Sequence, residues 1–120
     1  MLAHIAAVTD VRLDVLARHP GAAWVCEREL HRELGAAPAG RQRHRPDDLV
    51  VIDGREVAVE VELTLKRRAR IEQVMTELVA RYGSVTYFAA PAPRRTLERL
   101  AADVGRGRVQ VLDLPKETQR

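Results

Sequence analysis

The run Val57-Ala58-Val59-Glu60-Val61-Glu62-Leu63-Thr64-Leu65-Lys66 restricts the fold more than any other part of the chain. Successive side chains of a β-strand point to opposite faces, so Val57, Val59, Val61 and Leu63 form one apolar face while Ala58, Glu60, Glu62 and Thr64 share the other. The two glutamates then stand about 7 Å apart on one side. Acidic residues are poor strand formers, and like charges on one face repel unless a cation or a base lies between them. A chain built on such a strand must bring a counter-charge to it.

The flanking segments set out the rest of the fold. Residues 49–52 (Leu-Val-Val-Ile) read as a short strand, Asp53-Gly54 as a two-residue type I′ turn, and residues 55–63 as the antiparallel partner. Asp47, at the start of the hairpin, is thereby brought across from Glu60 and Glu62. Residues 67–82 form a helix with Ile71, Val74, Met75, Leu78 and Val79 on one stripe and Gly83 as its stop. A strand over 84–90, a helix over 93–104 and a last strand over 109–114 follow.

Upstream, residues 2–18 suit one or two short helices with Thr9-Asp10 as an interruption or local cap. Residues 22–34 suit an amphipathic helix with Ala23, Cys26, Leu30 and Leu34 on one side. Glu27 falls on the inward stripe of that helix, where an acid needs either an arginine partner or a role in a site. Strands separated by helices imply parallel neighbours joined by crossovers, with helices on both faces. The expected architecture is an α/β fold with a mixed four-stranded sheet, one domain over 1–120. Residues 1–20 form its helical extension and 115–120 a charged tail.

Composition narrows the function. Aromatic residues make up 3% of the chain, so the core is Val, Leu and Ala, and stacking of bases on aromatic platforms is disfavoured. The net charge of +3 rests on arginine more than lysine, which permits a nucleic-acid partner. The single cysteine, Cys26, allows no internal disulfide. No apolar run approaches a membrane span, and Asp10, Arg12, Asp14 and Arg18 interrupt what a signal peptide would keep apolar. A cytoplasmic protein with no membrane partner is expected. His4, His19, His31 and His44 have no zinc spacing with one another or with Cys26.

Pro46-Asp47 at a strand start, a hairpin, then Glu60-Val61-Glu62 resembles the PD-(D/E)xK nuclease superfamily. More narrowly, the run from His44-Arg45-Pro46-Asp47 through residues 59–64 to Lys66, with Trp24-Val25 and Glu27 upstream, resembles the nuclease-like portion of the actinobacterial replication-relaxation family of plasmid and mobile-element proteins. The resemblance covers roughly residues 20–115. It implies a restriction-endonuclease-like core in which Asp47 and Glu60 hold a divalent metal and Glu27 joins from the first core helix. Glu62 departs from the pattern, since it stands where the superfamily usually has lysine. Some restriction endonucleases of that superfamily carry a glutamate there, and a relocated lysine is a recurring theme, which directs attention to Lys66. Members of the narrower family commonly carry a winged-helix region ahead of this part. No such region fits in the first twenty residues, so the expectation is a fragment, a standalone version, or a subunit that borrows its DNA-binding specificity from a separate domain or subunit, and a homodimer is a further expectation.

The residues support the same chemistry by themselves. Phosphodiester hydrolysis calls for a hard divalent cation, Mg²⁺ or Mn²⁺, held by carboxylates that leave positions open for water and substrate. Asp47, Glu60 and Glu62 supply such a set, with the Val61 carbonyl nearby. Lys66 shares their strand parity if the strand runs on, and would then offset developing negative charge. Arg41, Arg43 and Arg45 before the site, with Arg67, Arg68 and Arg70 after it, suit contacts to DNA phosphates. Two readings of another class remain: a catalytically inactive DNA-binding or protein-interaction module, and an oligomerisation domain whose acidic face pairs with its own arginines.

Overall fold

In the computed structural model, which describes residues 2–25, 44–116 and 118, the chain folds around one five-stranded mixed sheet. The elements in chain order are α1 (Leu2–Arg18), β1 (Ala23–Trp24), β2 (Asp48–Ile52), β3 (Arg55–Glu62), α2 (Arg68–Tyr82), β4 (Val85–Ala89), α3 (Pro91–Val104) and β5 (Val109–Asp113). Spatial order follows chain order from β1 to β5. β1, β2 and β3 run antiparallel in turn, while β3, β4 and β5 are parallel. Each parallel step is bridged by a helix, as a crossover requires.

Local chemistry accounts for most boundaries. Asp53 and Gly54 have φ of 52° and 79°, the left-handed pair of a type I′ turn, and they lock Ile52 opposite Arg55. Gly83 ends α2 at φ 82°, donating its amide to the Val79 carbonyl at 3.0 Å. α3 begins at Pro91, earlier than the expected residue 93, because a proline in the first turn gives up no intrahelical hydrogen bond.

Two expectations need correction. The sheet has five strands, because Ala23 and Trp24 pair with Val51 and Val50 along the open edge of β2. The helix expected over residues 22–34 therefore does not begin there, and its remainder from residue 26 lies outside the described residues. Of the one or two helices expected over residues 2–18 there is one, α1: Thr9 does not interrupt it, since its hydroxyl donates back to the Ile5 carbonyl at 3.1 Å.

The strand alternation sorts the core into two layers. Leu49, Ala58, Val85, Tyr87 and Ala89 face α2 and α3, packing on Met75, Leu78, Leu97 and Leu100. Val50, Val59, Val61 and Phe88 face α1, packing on Ala7, Val11 and Val15. Met75 and Leu78 are fully buried, each stabilising the fold by about 1.5–3 kcal/mol relative to exposure. α1 is fastened to the sheet by Arg12, which donates to Asp48 Oδ2 from Nε at 3.0 Å and Nη2 at 2.8 Å and lies over the Trp24 ring. No helix among the described residues is long and apolar enough to cross a membrane.

Candidate functional site

β3 carries the site. Its ladder with β2 pairs Val59 with Asp48, so Asp47, one residue earlier, falls opposite Glu60. Its parallel ladder with β4 sets Glu60 beside Tyr87 and Glu62 beside Ala89. Asp47 is fixed by the Val61 amide, which donates to its Oδ2 at 2.7 Å. Glu60 and Glu62 share a face with Ala58, as the alternation requires, but that face lies beneath a helix. They are only 2% and 8% exposed.

Burial governs the electrostatics. Desolvation pushes the Glu60 carboxyl well above the usual carboxylate range; the Asp47 charge and its hydrogen bond, then Glu62, push the same way, and Lys66 only partly opposes them. Glu62 is also raised by burial, against the pull of Lys66, whose Nζ lies 3.2 Å from Glu62 Oε2. The buried Glu60, with the part-buried Asp47 within hydrogen-bond reach and Glu62 next along the strand, needs either a proton or a cation.

Two histidines, assigned no site by their spacing, supply part of the answer. His44 Nε2 sits 2.6 Å from Glu60 Oε1, and His4 Nε2 sits 3.3 Å from Asp47 Oδ1. α2 holds the His44 backbone at both ends: its amide donates to Glu77 Oε1 at 3.1 Å, and Arg81 donates to its carbonyl at 2.9 Å. Glu77 and Arg81 pair with each other. Burial and then the Arg70 charge lower the His44 pKa, so His44 and Glu60 are both driven toward their uncharged forms.

Beside these groups lies a cavity of about 60 Å³ lined by His44, Glu62, Lys66, Arg70 and Tyr87 over Ile71 and Val74. Tyr87 is 1% exposed, and its hydroxyl has no hydrogen-bond partner among the described residues. Burial and then the charges of Glu60, Glu62 and Asp47 raise its pKa far beyond the phenol range. A buried hydroxyl without a partner is costly unless water or a ligand reaches it.

Asp47, Glu60, Glu62 and Lys66 are thus brought together, with one change of route. β3 ends at Glu62, where the Ala90 amide donates to the Glu62 carbonyl at 2.9 Å, so Lys66 is not on the strand. It reaches Glu62 from the loop before α2, and the parity expectation is corrected. Arg45, Arg67, Arg68 and Arg70 are exposed, the last three at the start of α2. Arg68 pairs loosely with Asp103 at 3.4 Å. Glu27, Arg41 and Arg43 lie outside the described residues.

The donor chemistry suits a hard cation, since the Glu60 and Glu62 carboxyls are buried beside Asp47 and are raised in pKa, first of all by that burial. Among the described residues, however, no three His, Cys, Asp or Glu side chains converge on a ready-made metal cage. Glu60 is held by His44 and Glu62 by Lys66, so any cation must exchange places with those partners. Compared with protein families, curated proteins and solved structures, the chain matches none.

Proposed function

We propose that this chain is a DNA-binding domain of the PD-(D/E)xK nuclease-like type, acting in replication or transfer of a plasmid or mobile element, that hydrolyses DNA phosphodiesters with a divalent cation. Asp47 and Glu60 hold the cation, and Glu62 completes the acidic set. The observation that carries this reading is the buried Glu60 set beside the part-buried Asp47, where desolvation first, and then the Asp47 charge and hydrogen bond, raise the Glu60 pKa well above the usual range. The helix, hairpin, helix, strand order around that pair agrees with a restriction-endonuclease-like core. Bound Mg²⁺ or Mn²⁺ supplies Lewis acidity toward a phosphoryl oxygen and a more acidic water. Lys66 and Arg70 place positive charge beside the carboxylates, where the phosphate must approach. Arg45, Arg67 and Arg68 hold the DNA backbone without reading sequence.

A second reading, an inactive DNA-binding module of the same fold, is favoured by the partners already on the acids, His44 on Glu60 and Lys66 on Glu62. Incubating supercoiled and linear DNA with the protein, with and without manganese and beside Glu60→Ala, separates the two. Metal-dependent nicking that disappears in the variant supports hydrolysis. Retention of DNA at low salt, unchanged by chelator or by the variant and without nicking, assigns the inactive module. Absence of retention at low salt removes both, because phosphate contacts are strongest there.

A further inference from the structure

Among the described residues, α1 is the one helix that covers the sheet face turned away from α2 and α3. Past the last turn of that helix, toward the β2–β3 hairpin, the strands are left open over a cavity of about 320 Å³. Its floor is apolar, with Val57, Phe88 and Leu112 across three neighbouring strands. Its rim carries Arg18, His19 and Arg55, and among the described residues no aspartate or glutamate lines it. Arg18 keeps one contact to Asp14 at 3.1 Å, whereas the exposed Arg55 has no carboxylate partner among the described residues. The acidic site lies on the opposite face of β3, so nothing in the proposed hydrolysis uses this cavity.

We infer that this cavity binds a small amphipathic monoanion, an aliphatic carboxylate whose chain lies on the valine, phenylalanine and leucine floor and whose head group meets Arg55 and Arg18. The volume is at the lower end of small-molecule pockets. A nucleotide base finds only the rim imidazole of His19 and Phe88 to stack on, and Phe88 is 3% exposed. Charge decides the head group, since Arg55, with no carboxylate partner among the described residues, favours an anion over a neutral or cationic analogue.

The probe is sodium octanoate, titrated into the full ¹⁵N-labelled chain and followed by amide shifts, with 1-octanol and octylammonium as matched controls. Octanoate is expected to shift the Val57, Thr86 and Leu112 amides saturably, to bind more tightly than octanol, and to outcompete octylammonium entirely. Arg55→Gln, at an exposed position, is expected to weaken octanoate roughly tenfold while leaving octanol unchanged. Val57→Phe fills the floor and is expected to abolish binding; if it fails to fold, the Arg55→Gln comparison still decides. Equal affinity for octanoate and octanol, shifts confined to the Glu60 face, or no effect of Arg55→Gln overturns the inference. Self-association that shifts the same amides without octanoate also overturns it, by giving the face to a second copy.

Discussion

Replacing Arg12 by alanine strands a buried acid. Asp48, whose side chain is 8% exposed, accepts both Arg12 contacts on one oxygen, at 3.0 and 2.8 Å. Removing one partner of a wholly buried pair costs about 3–5 kcal/mol. Arg12 is itself 48% exposed, so water takes part of its place and the loss falls to roughly 2 kcal/mol. The guanidinium also lies 5.0 Å from the Trp24 ring centroid. Losing that cation–π contact adds about 0.5 kcal/mol. For 120 residues the unfolding entropy near the midpoint is about 0.25 kcal/mol per degree, so a loss near 2.5 kcal/mol lowers Tm by about 10 °C. Urea unfolding of wild type, Arg12→Ala and Arg12→Ala/Asp48→Asn measures this directly. The double variant recovers about half the loss, because no charge is left buried. Burial holds the Asp48 pKa above its ordinary value even with Arg12 present, and removing Arg12 raises it further. The deficit is therefore full at neutral pH and shrinks as pH falls and Asp48 takes up its proton. A deficit below about 0.5 kcal/mol at neutral pH, or one that grows on acidification, refutes the argument that this pair fastens α1 to the sheet.

The pH dependence of the acidic site has the opposite sign from a salt-bridged carboxylate. Glu60 and Glu62 are both raised, so above the ordinary carboxylate range the folded chain binds more protons than the unfolded one, and stability in chelator falls as pH rises. Glu60→Gln should flatten that decline above the ordinary carboxylate range, and an unchanged slope in urea midpoints would show that Glu60 is not its source. Tyr87→Phe deletes a buried hydroxyl without a partner and should stabilise the chelated protein by about 1 kcal/mol. A comparable destabilisation in thermal unfolding would mean that the hydroxyl is already satisfied.

Much of this architecture was written locally. The valine–glutamate alternation placed residues 57–62 on a strand with two distinct faces, and Asp53-Gly54 has no comfortable alternative to the tight turn it makes. Those two features together bring Asp47 to Glu60. What local pattern does not carry is pairing between distant segments. Ala23-Trp24 joins the sheet because β2 offers an open edge and Arg12 covers the indole, neither of which is visible in a helical periodicity. His4 and His44 reach the acids from a helix in the opposite layer and from a segment clamped by α2, so their spacing in sequence says nothing about the site. Two signals were present: Glu77 and Arg81 at i,i+4 on α2, and a tyrosine at alternating register on the strand beside Glu60. Lys66, expected on the continued strand, reaches Glu62 from the loop instead.

Titration of the DNA-free chain with Mn²⁺, followed by the loss of the free-ion paramagnetic resonance signal, tests the carboxylate site without requiring turnover. Wild type should take up one equivalent, with uptake weakening as pH falls and the carboxyls protonate, and both Asp47→Asn and Glu60→Gln should lose it. Uptake of the same stoichiometry and affinity in wild type and in the two variants, or none in any of them, would contradict the claim that Asp47 and Glu60 are held together to bind a cation.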